Sequence, residues 1–375
     1  MKLNQLKLIN LFAAACAAGA LAGCGGGGTS AASPAAAQAA APTPAPTPAP
    51  TPAPAPPPVA QGTNPDLVTS VTPPTYAVGT SEKGAWDTLM AQRSKCGFGL
   101  LQQDTRLDVA SAAHSYFLVQ NSLDQKIFLT GHYESATGYN YFYGVSPNDR
   151  ATAAGFPTGV AEILDQISYI YATGTPAPIS AGEAIGASKM RALVETVYHA
   201  QGAFWAGRTG GIGSKLGSGP TATAGYDTTK FTLVAEVSNE ADSLKQKLGS
   251  GNVASWPCAG LTAVGGKFTP ATESPNPFPE ITSTSTVYGT PVYFKVDPGS
   301  VLTVATATIT KVSDGSILAV RMLNKANDPA AEIGANEAFM VPTSALSAGA
   351  NYKVDMAGTL NGVAITKSFT FATAP

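Results

Sequence analysis

From Pro42 to Pro58, seventeen residues alternate proline with alanine or threonine and end in three prolines. Of all the sequence features, this run most limits what the chain can build. Proline fixes φ and offers no N–H, so neither a helix nor a sheet interior accepts such a run. Extended polyproline II is what remains, and at about 3.1 Å per residue it forms a spacer of roughly 50 Å. Gly25–Gly28 and an Ala/Ser tract precede it, and no charged side chain falls between Lys7 and Asp66. Residues 25–62 therefore read as a disordered stalk, and any folded core begins after them.

What precedes the stalk reads as an address. Lys2 and Lys7 lead into a short apolar run from Leu8 to Leu21, which closes on Leu21-Ala22-Gly23-Cys24. This is the pattern of a secretory signal, residues 1–24, ending at a lipoprotein cysteine. Acyl chains on Cys24 would anchor the protein to a membrane, each buried methylene adding about 0.8 kcal/mol. Gly25 rather than Asp follows the cysteine, which points to the outer membrane or cell surface. The alternative is an ordinary secretory signal with an incidental cysteine.

Of four cysteines, Cys16 leaves with the signal and Cys24 carries the lipid, so Cys96 and Cys258 remain. Export favours a disulfide between them. Two separate thiols are the alternative. Lys plus Arg total 22 against 24 Asp plus Glu. That balance lacks the basic surplus needed to neutralise phosphates, so nucleic acid is excluded as a partner.

Apolar spacing predicts helices over Gly84–Lys95, Asp108–Asn121 and Ser188–Phe204. Gly210–Gly213 and Thr232–Val237 read as strands between Gly-rich turns. Past about residue 275 the period becomes two. Strands are expected over Val287–Val296, Val301–Lys311, Ser316–Leu323, Ala338–Val341, Tyr352–Met356 and Ala364–Phe371, the last two joined through Asn361-Gly362. The expected class is α+β: a layered helix–sheet domain over 80–265 and an all-β, Ig-like sandwich over 278–375. Pro270, Pro275, Pro277 and Pro279 mark the limit between them.

All three histidines lie between positions 114 and 199. Singly, each has an ordinary reading: His114 as a satisfied core residue on a helix, His132 as a loop residue, His199 as a helix-end cation. Their setting carries more. Ala112-Ala113-His114-Ser115, Gly131-His132-Tyr133-Glu134, Ser146-Pro147-Asn148-Asp149-Arg150-Ala151 with Gly155-Phe156, Val160-Ala161-Glu162-Ile163, Val197-Tyr198-His199 and Gly211-Ile212-Gly213 follow in one order. Together they resemble the CAP superfamily of cysteine-rich secretory proteins, venom antigens and plant pathogenesis-related proteins, in its SCP-like bacterial branch. The resemblance covers residues 83–265.

That resemblance implies an α-β-α sandwich whose cleft is lined by two His and two acidic residues, with His132, Glu162 and His199 at matching positions; His114 is a further candidate for the ligand cleft. It also implies a weakly bound divalent metal, usually zinc, on His132 and His199. Ile163 stands where the family has Asn after the glutamate. The second acidic residue has no clear counterpart; Asp165, Glu183 and Glu195 are the candidates, and Glu195 is preferred because it precedes His199 by four residues. The dense aromatics Tyr133, Tyr139, Tyr141, Phe142 and Tyr143 either floor a groove or pack over the helices. No nucleophile elbow, phosphate loop or His-Glu-x-x-His helix occurs. The implied function is an extracytoplasmic binding module for a lipid, sterol, glycan or metal. The alternatives are a metal-assisted hydrolase of peptide or cell-wall material and a structural envelope protein with a vestigial cleft.

Overall fold

The computed structural model describes residues 67–375, which belong to one compact unit. The signal, Cys24 and the stalk fall outside the described residues. Among those described, no helix is long and apolar enough to cross a membrane.

The first half builds α1 (Ser81–Cys96), β1 (Gln102–Gln103), α2 (Thr105–Asp124), α3 (Pro147–Ala153) and β2 (Gly159–Ala172), followed by α4 (Glu183–Val194), α5 (Tyr198–Ala203), β3 (Thr209–Pro220) and β4 (Tyr226–Asn239). Local chemistry sets the helix limits. Thr80 caps α1 by accepting from Lys83 N, and Gly97 ends it in the left-handed region at φ 76°. Asp104 caps α2, and a Ser146–Asp149 capping box with Pro147 in the first turn starts α3. The strands order as β1-β3-β4-β2, antiparallel except for β1 beside β3.

Helices cover both faces of this sheet. Ile163, Ile212, Phe231, Leu233, Ala235 and Val237 pack with Trp86, Met190 and Leu193 from α1 and α4. On the other face Leu164 and Val234 pack with Phe117 and Leu118 of α2. Close approach of α2 requires Gly211 and Gly213, where a Cβ would stand 2.4 and 2.2 Å from its backbone nitrogens. The 14-residue strand β2 was not read from the sequence beyond the motif around Glu162, because its half-buried pattern lacks a clean period of two.

The second half is β throughout: β5 (Ala254–Trp256), β6 (Val292–Lys295), β7 (Leu302–Lys311), β8 (Val320–Asn324), β9 (Glu337–Pro342), β10 (Asn351–Leu360) and β11 (Val363–Ala372). They form two antiparallel sheets, β5-β6-β9-β8 and β11-β10-β7. Asn361 and Gly362, at φ 51° and 80°, make the two-residue turn between β10 and β11. Alternate residues Tyr352, Val354 and Met356 of β10 face inward.

The proline-rich stretch expected to separate two domains is folded into the unit. Gly265 N donates to Glu195 Oε1 at 2.6 Å, and Phe278 is buried. Strand β5, before residue 265, pairs with β6 of the second half. Phe98, Phe204, Tyr293 and Phe339 stack across the junction, with centroids 4.3 Å apart for Phe98–Phe204 and 4.5 Å for Tyr293–Phe339. One apolar core thus runs through both halves. Cys96 and Cys258 form a disulfide with Cα atoms 5.3 Å apart, bridging 162 residues. In the chain-entropy account a loop of that length contributes about 5 kcal/mol.

Candidate functional site

His132 lies on the loop leading from α2 toward α3, beside the edge strand β2. Its Nδ1 is 2.9 Å from Glu162 Oε1. A carboxylate only accepts, so Nδ1 carries the proton and Nε2 is the basic nitrogen. Arg150, fully buried on α3, donates to Glu162 Oε2 at 2.6 Å and to the His132 carbonyl at 3.1 Å. Burial alone would raise the Glu162 pKa. The His132 hydrogen bond and the charges of His114, Arg150 and His132 outweigh it, and the carboxyl titrates below its ordinary value.

His199 arrives from the opposite helical layer. The expected helix over 188–204 breaks at Glu195–Val197, between α4 and α5. Thr196 Oγ donates back to Leu193 O at 3.1 Å, satisfying a carbonyl at the break. The same hydroxyl lies 3.0 Å from His199 Nδ1. Glu273, from the stretch after β5, supplies a buried carboxylate that accepts from the backbone N–H of Val197, Tyr198 and His199. Its Oε1 also stands 3.1 Å from His199 Nδ1.

Both imidazoles line one cleft of about 350 Å³ along the β2 edge. Phe128, Asp165, Gln166, Thr196, Glu273 and Ser274 share its wall. Gln166 donates its amide to Leu129 O and Thr232 Oγ, while its buried Oε1 has no donor among the described residues. Burial raises the Asp165 pKa, opposed in part by Lys189 at 3.3 Å. Phe128 is 55% exposed, with the Lys230 ammonium 5.0 Å from its ring centroid.

Three residues expected in the cleft do not line it: Glu162 is buried behind His132, and the other two sit elsewhere. His114 is completely buried and spends both ring nitrogens, Nδ1 on Glu134 at 2.9 Å and Nε2 on Gly131 O at 2.9 Å. It braces the loop that carries His132. Glu195 is not on one helix face with His199, because the helix break intervenes, and its carboxylate turns to Gly265 N. Glu183 accepts from Gly79 N, away from the cleft. Of the three acidic candidates only Asp165 reaches the wall. None of the five loop aromatics lines it: Tyr139 packs on Phe117, Tyr141 on Tyr116, and Tyr133 is exposed.

Sequence reading missed Glu273, Arg150 and Glu236. Glu273 lies beyond the span of the resemblance, and nothing local marks it. Arg150 stands inside a quoted motif, where its full burial leaves no trace in the sequence. Glu236 offered a signal: it is the one charged residue within the apolar run Phe231–Val237.

No family model and no curated protein matches the chain. Among solved structures, a DUF4426 family protein from Pseudomonas aeruginosa is similar at 16% identity, covering 35% of this chain and 94% of that one, with a TM-score of 0.23.

Proposed function

We propose that this chain is a surface-anchored, extracytoplasmic binding module of the CAP superfamily, carrying an Ig-like β half, whose cleft takes a glycan. One observation carries the reading. Two imidazoles, each held at Nδ1 with a buried carboxylate behind it, enter one cleft beside a donor-less amide oxygen and an exposed aromatic ring. Nε2 of each histidine then accepts a sugar hydroxyl, and Phe128 offers an apolar face to the ring carbons. Such a site orients a ligand through polar groups fixed before it arrives.

The carboxylate-backed imidazoles also favour a second reading, a divalent cation. Carboxylate–histidine pairs raise ligand basicity and fix the ring, and this donor set fits zinc. His132 and His199 would hold it, and the ion would supply Lewis acidity there. Among the described residues no group of three His, Cys, Asp or Glu is arranged to hold a metal, so such a site would be open and weak.

The test is thermal shift and calorimetry with cell-wall glycan fragments and, separately, zinc, on wild type and on His132→Ala with His199→Ala. A ligand preferring the native state must raise its melting temperature. Stabilisation by glycan that is lost in the double variant supports the first reading. A response to zinc alone replaces it with the second, and identical traces for both proteins and both ligands remove the site.

A further inference from the structure

Behind the His132–Glu162 pair lies a second carboxyl that the reading above does not use. Glu236 of β4 is the direct register partner of Glu162 on β2, so both side chains leave the same face of the sheet. Glu236 is 1% exposed, and neither carboxyl oxygen has a donor among the described residues. Its other cross-strand partner is Gly211 of β3, which has no side chain and lets α2 close over the face. From α3 comes Arg150, whose NH2 group is committed to Glu162 and to the His132 carbonyl. From α2 comes His114, with Nε2 3.9 Å from Glu162 Oε1 and both nitrogens already bonded elsewhere. Arg150 Nε is also buried without a partner among the described residues, but it makes no hydrogen bond to Glu236, and the polar group facing Glu236 across the strand pair is the Glu162 carboxylate.

Two acceptors cannot bond. Two buried anions side by side would repel each other, with one guanidinium between them for compensation. We infer that Glu236 keeps a proton at neutral pH and donates it to Glu162, and is thereby a positioning residue for His132. The pair holds one proton and one negative charge. Glu162 then receives three donors, the His132 Nδ1–H, Arg150 and the Glu236 hydroxyl, which fixes its plane and the imidazole tautomer that presents Nε2 to the cleft. The titration trend agrees. Burial first, then the charge of Glu162, drives the Glu236 pKa well above its ordinary value of 4.5, and Arg150 offsets only part of this.

The role for the ligand-facing nitrogen rests on the reading of the cleft, but the shared proton does not, and the experiment separates them. Infrared difference spectra of the intact protein at neutral pH should contain a protonated carboxyl C=O band. Glu236→Gln should abolish it, and Glu280→Gln, at an exposed ion-paired position, should leave it. Nitrogen-15 spectra should place the His132 proton on Nδ1 in wild type and in Glu236→Gln, whose amide still donates. Glu236→Met, which donates nothing, should mix the tautomers. Absence of the band in wild type, or its survival in Glu236→Gln, overturns the shared proton. An unchanged tautomer in Glu236→Met overturns the positioning role, and if that variant does not fold, the Gln variant's band and tautomer decide. A glycan titration without response, alongside an intact band, removes the function and leaves the proton pair standing.

Discussion

The two faces of the β1-β3-β4-β2 sheet are built from the same strands and differ in kind. Toward α1 and α4, β4 presents Phe231, Leu233, Ala235 and Val237, an apolar wall. Toward α2, one residue out of step, it presents Thr232, Val234 and Glu236. Into that second layer the fold also packs His114, Glu134, Arg150 and Glu162, all with side chains 0–1% exposed. The first face gains stability from area and the second from geometry. A charged layer kept dry costs free energy wherever a member goes unpaired, as Arg150 Nε and both Glu236 oxygens do among the described residues.

Breaking each face should therefore cost stability for different reasons. Arg150→Met removes the cation shared by Glu162 and by Glu134, whose Oε1 is 3.8 Å away, and leaves buried carboxylates facing each other. We expect a loss of about 3–5 kcal/mol, as when one partner of a buried ion pair is deleted. Leu233→Ala on the apolar face should cost about 2–4 kcal/mol through lost burial and a cavity. Urea titrations of both variants measure the difference. Arg150→Met should be partly rescued by adding Glu162→Gln, whereas no charge change rescues Leu233→Ala. Equal, unrescued losses would erase the distinction between the faces.

How far this contrast was legible follows from the same residues. Periodicity showed α1, α2 and the C-terminal strands because apolar side chains repeat along them and turns such as Asn361-Gly362 are chemically marked. It could not show the break at Glu195–Val197, which depends on Thr196 and on Glu273 reaching in from seventy-odd residues away. That break is why Glu195 misled: the i, i+4 rule holds only while the helix continues. The order of short motifs carried His132, Glu162 and His199. Their supports were hidden because burial of a lone Arg or Glu is a property of the packed fold, not of its neighbours in the chain.

The charged face also sharpens the comparison through pH. Glu162 titrates below its ordinary value, so its stabilisation is present above the unfolded pKa and is lost as pH falls. Glu236 has the opposite sign. Its folded pKa is raised, so its contribution is complete below about pH 4.5 and is lost as pH rises toward the folded value. Glu236→Gln should remove that decline, which approaches about 1.4 kcal/mol per pH unit where the unfolded chain has released the proton and the native protein has not. Unfolding free energies of wild type and variant from pH 5 to 8 test this. Parallel curves would mean that Glu236 is already ionised in the native protein.

The smallest effect on stability belongs at the mouth of the cleft, where neither face is disturbed. Phe128 is more than half exposed, and its ring meets Lys230 of β4 at the cleft wall. Phe128→Ser removes exposed apolar area without opening a cavity, so the native state should change by no more than about 0.5 kcal/mol. The Phe128–Lys230 contact is lost, but removing the ring uncovers the buried Lys230 ammonium, and its solvation offsets the loss. If the ring serves a ligand, the glycan-induced thermal shift should shrink while the melting temperature of the free protein stays put. A fall in the free protein's melting temperature comparable to that of Leu233→Ala would instead make Phe128 part of the packing and shift the ligand surface onto the histidine side of the cleft.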